Sequence, residues 1–195
     1  MILTISGPMH VGKTELAKRL LFRWDNTVRK PMAAPLRELL ADFRLPENRE
    51  SMQKVGHGFR EIDEDVWVKA WLRNNGLLSA THLVIIDDAR YQNEVNLGDI
   101  NLFLTCSLGT QWERYQTSDK FHPDLTRAEW ERGTHHSTEQ QRLTPHSKYM
   151  YIDTNHKTAK EVEEEALRYL IDRVPLPQLK EESWHDTILN APKDT

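Results

Sequence analysis

Gly7-Pro8-Met9-His10-Val11-Gly12-Lys13-Thr14 decides the fold. The stretch fits G-x-x-x-x-G-K-[ST], the phosphate-binding P-loop. It follows the apolar run Ile2-Leu3-Thr4-Ile5 and precedes a helical pattern, the strand–loop–helix setting that the motif requires. Glycines let the backbone curl so that successive N–H groups face a phosphate, and the following helix adds the positive end of its dipole. Gly7, His10, Val11, Gly12, Lys13 and Thr14 are therefore expected to wrap the tail of a nucleoside triphosphate. In this reading Lys13 reaches the β- and γ-phosphates and the Thr14 hydroxyl serves Mg²⁺. His10 falls at a variable position, where a residue often only shapes the turn.

Working outward, Ile2–Ser6 reads as a buried parallel strand. The helix after it places Ala17, Leu20, Leu21 and Trp24 on one face. Thr27–Ala34 is extended but carries Pro31, which suits a sheet edge. Pro35 opens a helix that turns Leu36, Leu39, Leu40 and Phe43 inward. A loop is expected over Leu45–Ser51, and the Gly56- and Gly58-bearing stretch puts Arg60 in a loop ahead of the next helix. Asp63 is the expected N-cap of that helix, with Ile62 and Trp67 as its hydrophobic staple. Leu83-Val84-Ile85-Ile86 is the clearest central strand, with Ile100–Cys106 and Tyr149–Asp153 as two more. Thr158-x-x-Glu161 caps the closing helix. Alternating strands and helices imply an α/β domain over residues 1–195. Its sheet is open and mostly parallel, and the ligand sits at the carboxyl ends of the strands.

The polar stretch Ser107–Lys148 interrupts this pattern. It carries three capping-box patterns, Thr110-x-x-Glu113, Thr126-x-x-Glu129 and Ser137-x-x-Gln140. We read it as short helices in an excursion over the sheet, an active-site lid at about 108–148. Its aromatic residues Trp112, Tyr115, Phe121 and Trp130 either stack on a base or anchor the lid, the latter being favoured.

Candidate chemistry falls at strand ends. Ile85-Ile86-Asp87-Asp88-Ala89-Arg90 ends the central strand with two carboxylates, of which one should face the phosphates and help hold Mg²⁺. Arg60 and Arg90 suit bidentate phosphate binding, solvated surface arginine being the alternative for each. One or two lid residues among Arg114, Lys120, Arg127, Arg132, Arg142 and Lys148 are candidates to neutralise a transferring phosphoryl group. His135, His136 and His146 lack a zinc-site pattern.

Composition bounds the rest. The 195 residues carry 26 basic and 30 acidic side chains, a formal net charge of −4, which argues against a protein that coats nucleic acid. Cys106 is the single cysteine, so an intramolecular disulfide and a cysteine-based zinc site are both excluded. No apolar run is long enough to cross a bilayer and no secretory leader is seen, so a cytoplasmic location is expected.

Taken together, certain residues resemble the bacteriophage deoxynucleoside monophosphate kinases. They are the P-loop, Ala34-Pro35-Leu36-Arg37-Glu38, Gln53-x-x-Gly56 running to Arg60, Trp67-Val68, Asp88-Ala89-Arg90-Tyr91-Gln92-Asn93-Glu94, and His136-Ser137 with Glu139. Ala89 stands where that family commonly has a larger aliphatic. The resemblance implies an adenylate-kinase-like three-layer P-loop NTPase fold, with strand order 2-3-1-4-5, helices on both faces and a monophosphate-binding region at about 35–75. It implies transfer of the ATP γ-phosphoryl group to a deoxynucleoside monophosphate, with Mg²⁺. Lys13, Arg60, Asp88 and Arg90 would be catalytic, Arg60 and Arg90 gripping the acceptor, with Thr14 and Asp88 serving the metal. A homodimer is compatible with the resemblance; a membrane or a stable nucleic-acid complex is not expected. The alternatives are a P-loop kinase for another acceptor, a small metabolite or a polynucleotide 5′ end, and a nucleotide-driven switch.

Overall fold

The structure is a computed structural model that describes residues 1–119, 121–134 and 149–174. Five strands form one sheet: β1 (Ile2–Ser6), β2 (Thr27–Arg29), β3 (Leu83–Ile86), β4 (Ile100–Thr105) and β5 (Tyr149–Asp153). Their order is β2-β3-β1-β4-β5 and every pairing is parallel. This is the strand order expected for a P-loop fold, with the second strand at one edge; that strand is shorter than the expected stretch 27–34, ending at Arg29 ahead of Pro31. β1 and β3 are buried along their whole length, because helices cover both faces.

On one face, α1 (Lys13–Leu20) and α8 (Ala159–Leu170) pack over the sheet. Leu16, Ala17, Leu20, Val162, Ala166 and Leu170 meet Leu3, Ile5, Leu102 and Leu104 there. The helical spacing of those residues supplies the apolar stripe. Buried Glu163 accepts from both Arg19 (3.3 Å) and Arg23 (2.6 Å), tying α8 to α1 and the turn after it. Thr158 and Glu161 form the expected capping box at the start of α8.

The opposite face is covered by α4 (Val66–Asn75), with Trp71 buried against Ile2, Val84 and Ile86. α2 (Ala34–Asp42) and α3 (Arg49–Ile62) join α4 in a smaller core around Leu36, Leu40 and Trp67. Here the structure corrects several local expectations. Phe43 is exposed, because it ends α2 and Arg44 turns the chain through a left-handed φ of 54°. Residues 49–62 are helix, not loop, and Arg60 lies in the last turn of α3. Asn48 caps this helix by accepting from Ser51 N–H at 2.9 Å. Gly56 sits inside it because α3 runs close to α2: a Cβ there would lie 3.3 Å from Leu36. Asp63 ends α3 and accepts from Asp65 N–H and the Lys69 ammonium. No staple forms, since Ile62 is 85% exposed and Trp67 packs on Phe59 instead.

Short α5 (Gln92–Val95) follows β3, and α6 (Leu108–Gln116) and α7 (Arg127–Thr134) follow β4. α6 is capped by Ser107 rather than Thr110: the Ser107 hydroxyl accepts from Thr110 N–H at 3.1 Å. Thr126 and Glu129 exchange hydrogen bonds as their capping box requires. The third box, Ser137 to Gln140, lies outside the described residues. Among the described residues no helix is long and apolar enough to cross a membrane.

Candidate active site

The loop between β1 and α1 is held open by backbone geometry that few residues tolerate. Gly7 has φ 138°, His10 56° and Gly12 102°. A Cβ on Gly7 would sit 2.2 Å from the Leu104 carbonyl oxygen, so β4 itself forbids a side chain there. α1 starts at Gly12 with no side-chain cap, leaving its first-turn N–H groups and the positive end of its dipole to the loop. Lys13 reaches back across the loop and donates to the carbonyls of Gly7 (2.8 Å) and Pro8 (2.6 Å). The Val11 carbonyl accepts from Arg114 (3.2 Å) and Thr154 (3.3 Å), which bind the loop to α6 and to the turn after β5.

The two carboxylates after β3 point to opposite tasks, as alternation along an extended chain demands. Asp87 is buried and accepts from the Thr14 hydroxyl at 2.8 Å. It also accepts a forked pair from Arg29, Nε at 2.8 Å and Nη2 at 3.0 Å. This hydrogen bonding to Asp87 holds the Arg29 guanidinium above its ordinary pKa. Asp88 faces away and accepts from the N–H groups of Met32 (2.6 Å) and Ala33 (3.1 Å), where α2 begins. Burial raises the Asp88 carboxyl above the usual carboxylate range, against the pull of those two donors. Thr14 and Asp88 are expected from the sequence to serve one metal; the carboxylate that meets Thr14 is Asp87.

The rest of the Asp88–Glu94 run fastens the α2–α4 helices to the sheet. Glu94 is buried and accepts from Arg60 Nη2 at 2.7 Å through one oxygen. Its other oxygen accepts from the N–H groups of Arg90 (2.8 Å) and Tyr91 (3.2 Å). The Arg60 guanidinium lies 3.9 Å from the centroid of the Tyr91 ring, and its Nη1 donates to Gly56 O at 3.1 Å. Asn93 donates to Glu64 O and the Asp65 carboxylate, pinning the α3–α4 turn. Arg60 is therefore aimed by three groups while three of its five N–H donors stay uncommitted to these bonds. Arg90 is exposed.

A cavity opens next to the phosphate loop, lined by Val11, Glu15, Leu16, Arg114, Lys157 and Val162. Arg114 also donates to Thr154 Oγ1 (2.9 Å) and O (2.7 Å), so among the described residues it is the basic residue of the excursion that is built into the loop. The aromatic residues anchor rather than stand open. Tyr115 and Trp130 stack at 5.8 Å, Trp112 lies 5.4 Å from Trp130, and His10 meets the edge of Tyr115 at 5.2 Å. They grip the phosphate loop itself. Burial pushes the Cys106 thiol, at the end of β4, above its ordinary pKa. Lys120, His135, His136, Ser137, Glu139, Arg142, His146 and Lys148 lie outside the described residues.

Sequence reading missed Arg29, quoted Glu94 without giving it a role, and had Arg114 only as one of six basic candidates in the excursion. Arg29 left no signal, since its partner is 58 positions away. Arg114 left a weak one: it shares a helix face with buried Gln111.

Loop, strand order and flanking helices together define a P-loop protein with the fold of P-loop kinases. Residues 3–129 match the family described as AAA domain, and the chain belongs to that family. No curated protein matches it. Among solved structures it is similar to the tunicamycin resistance protein of Deinococcus radiodurans, with TM-score 0.55 and 17% identity over 87% of this chain and 94% of that one. A gluconokinase from Sinorhizobium meliloti 1021 follows with TM-score 0.51 and 14% identity, covering 87% of this chain and 91% of that one. A sugar kinase from Janibacter sp. HTCC2649 has TM-score 0.51 and 13% identity, covering 87% and 94%. These likenesses establish the fold.

Proposed function

We propose that the chain transfers the γ-phosphoryl group of ATP to a deoxynucleoside monophosphate, giving a deoxynucleoside diphosphate. The observation that carries the choice of acceptor is the state of three carboxylates. Asp87 is engaged by Thr14 and Arg29, Asp88 by the start of α2, and Glu94 by Arg60 and two backbone N–H groups. A hydroxyl acceptor needs a base within hydrogen-bond reach. An ionised monophosphate needs none. It needs fixed guanidinium groups, and Arg60 is one.

In this reading the loop N–H groups and Lys13 bind the donor phosphates. The cavity beside Arg114 and Lys157 takes the nucleoside. Thr14 and Asp87 offer hard oxygen donors side by side, which fits Mg²⁺. When bound there, the ion spreads the charge that develops on the phosphate oxygens. Arg60 and Arg90 orient the acceptor, while Asp88 holds the start of α2 and acts on the reaction through structure. Segment 108–148 serves as a lid that excludes water. Positioning and charge neutralisation then supply the rate.

A second acceptor class, a small hydroxyl compound, is favoured by the names of the gluconokinase and sugar kinase neighbours. Coupled ADP release with a panel of acceptors decides. Release that depends on a deoxynucleoside monophosphate supports the proposal. Release dependent on a sugar or on a 5′-hydroxyl oligonucleotide reassigns the acceptor, and slow acceptor-independent hydrolysis points to a switch.

A further inference from the structure

Arg29 ends the edge strand β2, where the ladder pairs it with Ile85 of β3. That register brings its guanidinium beside Asp87, two positions beyond Ile85. The pair is a fork: Nε to one carboxylate oxygen at 2.8 Å, Nη2 to the other at 3.0 Å. The second oxygen also accepts from Thr14 at 2.8 Å. An ionised carboxylate offers about four lone-pair sites. Three are engaged, so Asp87 has no pair of open oxygens with which to chelate a cation. Its charge is also cancelled. Asp87 is 1% exposed and Arg29 33%, so the pair is desolvated on the carboxylate side and open to water on the other.

We propose that Arg29 is a built-in counter-ion of the metal carboxylate, so that this site refuses a free divalent cation and takes one only together with the oxygens of a bound triphosphate. Mg²⁺ dehydrates reluctantly and is usually held by one or two carboxylates plus substrate phosphates. A neutral Arg29–Asp87 pair gives it nothing to stay for until the triphosphate brings negative charge. A buried carboxylate also needs a partner while no nucleotide is bound, because an isolated buried charge is costly. Arg29 meets both needs, and it is a positioning residue: it acts through Asp87. The inference rests on the reading that Thr14 and Asp87 serve the nucleotide's metal.

The test is thermal unfolding of the nucleotide-free chain with millimolar MgCl₂ against NaCl of equal ionic strength. Wild type should melt at the same temperature in both. Arg29→Met should melt a few degrees higher in MgCl₂, and Arg29→Met/Asp87→Asn should lose that gain. Arg29→Lys, which replaces the fork by a point charge, should show a smaller gain of the same sign, and it carries the test if Arg29→Met does not fold. A wild type stabilised by MgCl₂ as much as the Arg29 variants, or Arg29 variants indifferent to it, overturns the proposal. Calorimetric titration of Asp87→Asn with ATP, with and without MgCl₂, separates the two claims. Unchanged metal dependence there sinks the reading of Asp87 itself. If that dependence is lost while the Arg29 variants ignore free MgCl₂, the counter-ion proposal alone falls.

Discussion

Gly7 shows how one atom can be forbidden. Any Cβ there meets the Leu104 carbonyl, and the backbone already sits at φ 138°. Gly7→Ala should therefore displace the loop from β4, lowering the urea midpoint and weakening ATP binding together. Lys13 is different, because it donates to the loop carbonyls of Gly7 and Pro8 and takes no part in the packed core. Lys13→Ala should leave the urea midpoint nearly unchanged and lower kcat by about 100- to 1,000-fold in the coupled ADP assay, as for loss of a donor to developing charge. Cys106 is protonated at neutral pH, since burial raises its thiol. Only the thiolate reacts readily. Iodoacetamide at pH 8 should thus modify the native chain much more slowly than the urea-unfolded chain, as mass spectrometry would read. At this scale the phosphate loop was legible because its geometry is local. Which of Asp87 and Asp88 meets Thr14 was not: alternation requires opposite faces but does not say which face is which.

The elements most exposed to misreading are those positioned by tertiary contacts. Two glycines in 49–62 suggest a loop, yet the segment is helical. Gly56 costs helix propensity and in return lets α3 approach Leu36, while its carbonyl accepts from Trp67 Nε1 at 3.0 Å. β1 and β3, by contrast, were readable as apolar β-branched runs, because strands covered on both faces leave no polar alternation to confuse them. The Asp88–Glu94 run reads as chemistry from sequence, and Asp88, Asn93 and Glu94 in it also fasten helices to the sheet. Glu94→Ala should leave Arg60 partly buried without its carboxylate and two backbone N–H groups without an acceptor. Breaking such a pair costs roughly 3–5 kcal/mol in a buried setting. Glu94→Gln should recover part of the lost urea stability. Because Arg60 would lose its aim, Glu94→Ala should also raise the acceptor KM more than it changes ATP binding.

Across the whole molecule, the aromatic cluster joins two regions distant in sequence. His10 of the phosphate loop contacts Tyr115 of α6 and lies 6.1 Å from Trp130 of α7. Filling the loop should therefore change the surroundings of Trp130. ATP binding is expected to alter tryptophan emission in wild type, with most of the change lost in Trp130→Phe; an unaltered signal in that variant would disconnect the two regions.

β1 lies in the middle of the sheet, between β3 and β4. Its neighbours come from residues 83–86 and 100–105. β1 consequently has no sheet partner until residues 83–86 have been made, and lacks its second until 100–105. A translation arrest before β4 would leave Gly7 without the carbonyl that shapes its turn, so the phosphate loop takes its form only once residues 100–105 have emerged.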